Sequence, residues 1–480
     1  MSRIDKAGAE TDLGYRDSIT KIEPYGVDHI PDVEKHGKPS SQFYVWFAAG
    51  LSFPIMILGF SAAYLGLSLT AGIIAVIVGA VVGSILMGVL SRMGVRLGVP
   101  QQIQARGPMG HVGNLPPVAY INVFAGIGWS ALNIVVASRA LNLMIGIPFW
   151  LAAVILAAIM LVIALYGYNM IHFVQKWMSP VLVVLFAWTT VICLINGSST
   201  LQTNTKAAGY VGGAGSWIIL GGWFLAFLIA WTPFASDYSR YLPDNRKTSV
   251  RAGWFTGLGN FVTMVWLGIV GVFLAGTSTS SDPIVALKGL MGPWFVVALL
   301  ALLFSLFTQN SLNVYGGAIS VQTLGLPFNR KQAVVIICVL AYAVSLWAQA
   351  GVYDKFETFL NLTSYFITPY VAVIIMDYFI GGRRDKQRIP ELYDKRRILG
   401  WGFVSWLVGV LATVPFWQST LYTGPFAAHF PSFGDLSMYV GFVVALLVFL
   451  ATYRLKPLWT LRRTATEERA VRPVVGGDLG

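Results

Sequence analysis

Apolar stretches long enough to cross a bilayer recur along the whole chain, and no other feature limits its fold as much. A spanning helix needs ~20 largely apolar residues. Such stretches fall near residues 42–68, 71–90, 117–146, 149–167, 172–195 and 216–239, and then near 254–275, 293–325, 333–350, 356–380, 399–417 and 436–453. They are numbered helices 1 to 12 in chain order. Of the 480 residues, 56% are hydrophobic and 11% charged, whereas a soluble domain carries roughly 25% charged residues. Such a chain cannot cover itself with polar surface in water. The sequence predicts an all-α integral membrane protein with 12 transmembrane helices.

The basic residues test the count independently. Positive charge gathers in cytoplasmic loops, so with both termini inside, the amino tail and every even-numbered loop should carry it. The tail holds Arg3, Lys6, Arg16, Lys21, Lys35 and Lys38; the loop after helix 2 holds Arg92, Arg96 and Arg106. Lys176 follows helix 4, Arg240, Arg246, Lys247 and Arg251 follow helix 6, and Arg330 and Lys331 follow helix 8. Seven more lie between helices 10 and 11 and six in the carboxyl tail, so 29 of 33 share one side. A miscounted helix would invert every later loop. The net charge of +12 is therefore a topology signal and not a nucleic-acid surface. A plasma (inner) membrane location with both ends cytoplasmic follows. Residues 1–40 are polar with no apolar core segment, so no signal peptide is expected and the first spanning helix must direct insertion. Cys193 and Cys338 both sit in apolar runs, where they suggest neither a disulfide framework nor a metal site.

Helices 1 and 6 each carry a proline interruption within an unusual local sequence. Helix 1 reads Ala49-Gly50-Leu51-Ser52-Phe53-Pro54, and helix 6 reads Ala230-Trp231-Thr232-Pro233-Phe234-Ala235-Ser236-Asp237. Proline lacks a backbone N–H and crowds the carbonyl four residues earlier. Irregular backbone at membrane depth is tolerated where it is buried in protein or lines a cavity. Helices 1 and 6 hold equivalent places in two five-helix halves, and paired interruptions of that kind mark transporter binding sites. Pro233 is expected to leave the Ile229 carbonyl without its usual amide partner.

Three stretches resemble the nucleobase–cation symporters of the first class, the cytosine/purine permease family. The first is Gly26-Val27-Asp28-His29-Ile30-Pro31 with Lys38-Pro39 and Phe43-Tyr44-Val45-Trp46-Phe47. The second runs from Trp231 to Pro243 and includes Asp237-Tyr238-Ser239-Arg240. The third is Asn310-Ser311-Leu312-Asn313-Val314-Tyr315, followed by Pro369 through Asp377-Tyr378-Phe379. The resemblance implies a leucine-transporter-type fold: a 5+5 inverted repeat with broken helices 1 and 6, plus two peripheral helices. On that plan a cytoplasmic tail of residues 1–40 precedes a transport core of 41–381, whose repeats occupy about 41–196 and 215–381. Residues 382–453 hold a cytoplasmic loop and the peripheral helices, and 454–480 form a second tail.

The resemblance also implies secondary active import of a nucleobase or related planar heterocycle by cation symport with alternating access. Cytosine and purines, allantoin, hydantoins and vitamin precursors remain open as substrates. A planar ligand needs an aromatic face and amides that donate and accept along its edge, as Asn and Gln do with adenine. Trp129 and Asn133 lie i, i+4 on one face of helix 3. The family pattern puts its stacking tryptophan at Trp129 and a polar position at Asn133. Phe227 supplies the expected aromatic of helix 6, although a gapless match offers Leu228, and Ala226 would present backbone where the helix opens. In helix 8, Asn310 and Asn313 beside Gln309 are too polar to face lipid. Asn310 is the better substrate candidate, with Asn313 an interhelical clamp. The family's cation positions, carbonyls of helix 1 and hydroxyls of helix 8, map onto Gly50, Phe53, Ser305 and Thr308. These hard oxygens suit Na⁺. Gln309, where a second hydroxyl is usual, leaves H⁺ open, with Asp237 as proton carrier unless it is paired with Arg240.

No cofactor, catalytic residue or nucleic-acid partner is expected; the partners are a heterocycle, a coupling cation and the bilayer. An embedded enzyme is the rival of another class, but His29, His36, His111, His172 and His429 fall in expected tails or loops with no HExxH spacing. A channel would carry a pore-loop signature, which is missing.

Overall fold

The computed structural model describes residues 25–461 except 213, 351 and 420. Arg3, Lys6, Arg16, Lys21 and the tail from 462 onward lie outside the described residues. Among the described residues, nine helices are long and apolar enough to cross a membrane, or ten if one bent pair is a single span. The chain is a multi-pass membrane protein. The bent pair is helix 1, Ser41–Gly50 followed by Phe53–Phe60 at an angle of 54°. Helices 2, 3 and 4 run over Leu69–Leu97, Leu115–Ile145 and Phe149–Tyr166, and helix 5 over Tyr168–Asn196. Helices 6, 7, 8 and 9 are Gly215–Ser239, Arg246–Ala275, Phe295–Thr323 and Arg330–Ala348, and helix 10 is Val352–Phe379. Helices 11 and 12, Trp401–Thr413 and Ser437–Thr452, are apolar but shorter.

Helices 1, 2, 6 and 7 pack on one another, and helices 3, 4, 8 and 9 form a second set. Helix 5 leans on helices 1 and 8, while helices 11 and 12 pair with each other and with helix 10. The two sets meet where helix 3 and helix 8 approach helices 1 and 6.

Several local features differ from the sequence reading. Gly167, at a φ of 80°, alone joins helices 4 and 5. Helix 5 therefore starts at Tyr168, ahead of the apolar stretch near 172–195, and no loop remains between helices 4 and 5 to hold His172 or Lys176. Asp282 accepts from the backbone N–H groups of Ile284 and Val285 and caps an unexpected helix, Pro283–Met291, ahead of helix 8. Proline just inside the start of that helix needs no N–H there. Residues Asn122–Gly128 of helix 3 form a π-helix. The all-α expectation has one small exception: Arg397–Leu399 pairs antiparallel with Trp459–Thr460 and ties the segment before helix 11 to the chain beyond helix 12.

Candidate transport site

Helix 3 delivers the aromatic centre of the site. Its π turns end at Gly128, and Trp129 opens the regular stretch that follows; π-bulges occur frequently at functional sites. The Trp129 ring is 3% exposed and meets three phenylalanines edge-on. Phe227 of helix 6 lies at 4.9 Å between ring centroids, Phe359 of helix 10 at 5.2 Å and Phe356 at 5.8 Å. Such pairs contribute ~0.5–1.5 kcal/mol each beyond buried area. The indole Nε1 is buried without an acceptor. Leu228 faces the other way, onto helix 2, where its side chain would meet a Cβ placed on Gly83. The helix 6 aromatic beside Trp129 is thus Phe227. Ala226 is fully buried within the regular helix, not at an opening in it.

Beside this cluster runs a chain of amides. Asn310 Oδ1 accepts from Asn133 Nδ2 at 2.8 Å and from Asn313 Nδ2 at 3.2 Å. Its own Nδ2 donates to the Ser130 carbonyl at 3.1 Å and contacts Met160 Sδ at 3.0 Å. Gln309, Asn310 and Asn313 are at most 1% exposed, in keeping with an inward face for this stretch of helix 8. A buried hydrogen bond contributes ~1 kcal/mol net, and an unmade one costs more; this network holds helix 3 against helix 8 through polar atoms that cannot be left bare. Sequence reasoning missed Phe356, Phe359, Ser130 and Met160. The i, i+3 phenylalanines of helix 10 were visible as a pair, but their partner across the bundle was not.

The interruption of helix 1 faces helix 8. Leu51 (φ −76°, ψ 78°) makes an inverse γ-turn, in which Ser52 N–H donates to the Gly50 carbonyl at 2.9 Å. Pro54 then sits in the first turn of the second half, where a missing N–H costs nothing. A Cβ on Gly50 would run into Thr263 Oγ1 of helix 7, so only glycine permits this approach. Thr308 Oγ1 donates to the Ala48 carbonyl at 3.1 Å and the Ser305 carbonyl at 2.8 Å, and Ser305 Oγ donates to the Leu302 carbonyl at 2.8 Å. Gln309 Nε2 donates to Ser52 Oγ at 2.9 Å. Thr308 and Gln309 thus join helix 8 to helix 1 on either side of the break, while Gly50 stands against helix 7 and the Ser305 hydroxyl bonds within helix 8.

Helix 6 behaves differently. It tightens to a 3-10 turn at Thr232–Phe234 and resumes at Ala235–Ser239. The Ile229 carbonyl is not left bare: Thr232 donates to it through both its backbone N–H and its hydroxyl, the latter at 2.5 Å. Asp237, fully buried, accepts from the Gln101 backbone N–H at 3.0 Å. Arg240, also fully buried, reaches the Tyr315 hydroxyl at 3.2 Å and the Asp28 carbonyl at 3.4 Å, and lies over the Tyr241 ring at 5.2 Å. Tyr238 donates to the Leu312 carbonyl, Ser239 to that of Ser91, and Gln42 to the Tyr238 carbonyl. The Trp231–Pro243 stretch thus ties helices 1, 2 and 8 together at the basic face.

Ion pairs reinforce that face. Asp32 pairs with Lys35 at 2.7 Å and Lys386 at 3.0 Å, and Asp244 pairs with Lys386 at 2.5 Å and Arg96 at 2.9 Å. Partial burial would raise the Asp32 carboxyl, but Lys35 and Lys386 outweigh it and hold the group down at about 2. His29 is held down at about 4, by burial first and by Lys35 second.

Similarity to known proteins agrees with this geometry. A family model described as "Permease for cytosine/purines, uracil, thiamine, allantoin" matches residues 29–444. The chain belongs to this family. It is a membrane transporter and not an enzyme. YxlA of Bacillus subtilis is 28% identical over 89% of this chain and 95% of its own length. The purine-cytosine permease fcyB of Emericella nidulans is 26% identical over 89% of this chain and 88% of its own. Among solved structures the fold matches Mhp1, a nucleobase-cation-symport-1 family transporter in a closed conformation with bromovinylhydantoin bound. The TM-score is 0.72 at 20% identity, covering 94% of this permease and 99% of Mhp1.

Proposed function

We propose that this permease imports a nucleobase or a related planar heterocycle by cation symport with alternating access. The observation that carries the reading is the adjacency of one large aromatic cluster to a chain of buried amides. Trp129 and Phe227 offer ring faces to a flat ligand, with Ala226 a small neighbour of Phe227. Asn133, Asn310 and Asn313 exchange their mutual hydrogen bonds for the donor and acceptor edge of the ring. Because those amides satisfy one another when no ligand is bound, a substrate must replace each bond it breaks. That requirement favours heterocycles with alternating donors and acceptors over apolar rings. Cytosine, purines, allantoin, hydantoins and vitamin precursors all meet it.

The proton is the favoured coupling ion. Helix 8 already donates to helix 1 through Thr308 and Gln309, the bridging a bound cation would otherwise supply, and this reading makes Asp237, fully buried at the end of helix 6 on the Gln101 backbone N–H, the proton carrier. Sodium is the second reading, held by the Gly50 and Phe53 carbonyls and the Ser305 and Thr308 hydroxyls, an all-oxygen set suited to a hard cation. In the same reading the short helices 11 and 12 also span, giving twelve crossings. Residues 41–381 are then the core with paired interruptions in helices 1 and 6, and both termini are cytoplasmic at the plasma (inner) membrane.

The test is uptake into proteoliposomes of radiolabelled cytosine, hypoxanthine, allantoin and a hydantoin, under imposed sodium or pH gradients. Accumulation driven by the pH gradient and abolished by a protonophore is expected. Accumulation that follows sodium alone moves the assignment to the oxygen set. Failure of every heterocycle to exchange in counterflow overturns the substrate class.

A further inference from the structure

On the outer surface of the bundle, between helices 2 and 7, lies a trough of about 480 Å³ lined by Val81, Ser84, Ile85, Arg92, Trp254 and Phe261. Its rim faces lipid: Trp254 is 75% and Ile85 60% exposed. The trough exists because the two helices touch backbone to backbone at its floor. A Cβ on Gly88 would lie 2.7 Å from the Gly253 carbonyl oxygen, and one on Gly257 would lie 3.1 Å from that of Ser84.

One charged residue closes the trough at the basic face. The stem of Arg92 lies on the bare backbone of Gly253, where a Cβ would meet its Cγ at 2.6 Å. Its Nε is buried with no acceptor, and so is the hydroxyl of Ser84 farther along the trough. Arg246, Lys247 and Arg251 are exposed on the first turns of helix 7. Among the described residues none of these four basic side chains has an ion pair. Arg96, one turn beyond Arg92, shows the contrast, because it is matched by Asp244 at 2.9 Å. The mouth of the trough is a concentration of unneutralised positive charge above an apolar slot.

We propose that this trough binds an anionic phospholipid of the leaflet on the basic face. One acyl chain lies between helices 2 and 7, and the phosphate meets Arg92 with Arg251 and Lys247. From Val81 to Arg92 the slot is about 16 Å long at 1.5 Å per residue, enough for much of an acyl chain. Bulk lipid competes equally well for the apolar walls, so selectivity must come from the headgroup. A guanidinium with no ion-pair partner offers its terminal N–H groups to phosphate in a matching geometry, and basic pockets between helices on that side of a membrane hold anionic headgroups.

The test is native mass spectrometry of the purified permease titrated with phosphatidylglycerol or phosphatidylcholine of identical chains. Tighter retention of phosphatidylglycerol is expected. Arg92→Gln should weaken it about fivefold, the effect of one basic contact at a membrane surface. Val81→Trp, at an exposed position far from the charge, should displace the chain and weaken binding without altering the headgroup site. Arg454→Gln, an exposed basic residue elsewhere, should change nothing. Equal retention of both lipids overturns the proposal, as does unchanged retention in Val81→Trp. That second variant keeps the test decisive should Arg92→Gln fail to fold.

Discussion

Helices 1 and 6 carry the same sequence device and use it in opposite ways. Each has a proline in its middle, yet only helix 1 bends sharply, by 54°. In helix 1 the bend comes before the proline, at Leu51–Ser52, and an inverse γ-turn takes up the Gly50 carbonyl. In helix 6 the carbonyl that Pro233 releases is recaptured by Thr232, and the chain continues through a single 3-10 turn. A proline states that one N–H is missing; the residue next to it decides whether the helix opens. Ser52 lends its hydroxyl to Gln309 of helix 8, whereas Thr232 turns its hydroxyl back on its own helix. Helix 1 therefore offers the site backbone and a hydroxyl at its break, and helix 6 offers a side chain, Phe227.

The side-chain half of that contrast carries the largest expected effect. Trp129→Ala removes the ring that Phe227, Phe356 and Phe359 surround, and we expect uptake to fall by on the order of a hundredfold, about 2.7 kcal/mol. Phe227→Ala should fall in the same direction by less. Measured insertion and detergent stability must stay near those of the parent, since a protein that merely unfolds says nothing about binding. Parental affinity in Trp129→Ala would reduce the cluster to packing.

Next comes the backbone half. Gln309→Ala strands Ser52 at the break and cuts one of the two bonds from helix 8 to helix 1, so we expect roughly tenfold slower coupled uptake, about 1.4 kcal/mol. Thr308→Ala should act similarly through Ala48, and Ser305→Ala less, because the Ser305 hydroxyl bonds only within helix 8. Should Gln309→Ala instead acquire sodium dependence, the amide would stand in for the ion.

A smaller effect separates the proline from its neighbour. Thr232→Val removes one of the two donors to the Ile229 carbonyl and should cost about 1 kcal/mol. Pro233→Ala, by contrast, should change melting temperature and substrate affinity little, because the carbonyl it would serve is already satisfied. A Pro233→Ala protein that is clearly more stable yet binds poorly would show that the 3-10 turn is held open by proline after all.

Much of this molecule can be read from its residues, and the unreadable part has a physical pattern. Apolar length gives the spans, because hydrocarbon forbids bare backbone; the Trp231–Pro243 and Asn310–Tyr315 stretches give the family. Sequence cannot show where a released carbonyl finds a substitute donor, as at Thr232, or that three phenylalanines from two distant helices converge on Trp129. Nor could apolar counting, which begins helix 5 near residue 172, see that a single glycine joins it to helix 4 and leaves no loop there for His172 and Lys176. Asp282-Pro283 was a legible helix start, overlooked because the nine residues it begins are too few to span.

The smallest effect lies where the two interrupted helices are anchored together. The segment before helix 1 reaches the end of helix 6 through the His36 N–H and the Tyr241 carbonyl, and reaches the end of helix 2 through the Ile30 N–H and the Gly98 carbonyl. His29 sits in that segment with its pKa held down from 6.5 to about 4 by burial, with Lys35 adding to the effect. The folded protein therefore keeps His29 neutral at a pH where the unfolded chain already binds a proton. Stability from this group is fully present above about pH 6.5 and is lost as the pH falls toward 4. Asp32 reinforces the trend at still lower pH, since its carboxylate, held down to about 2, stabilises the fold above 3.8 and ceases to do so as the pH drops through 2. His29→Gln should leave the melting temperature at pH 7.5 within a degree or two of the parent and flatten its decline between pH 6.5 and 4. Melting curves of both proteins in detergent, taken at half-unit steps of pH, measure the difference in slope. Parallel curves across that window would mean that protonation of His29 does not load the joint, and that the ion pairs of Asp32 and Asp244 hold the ends of helices 1 and 6 without it.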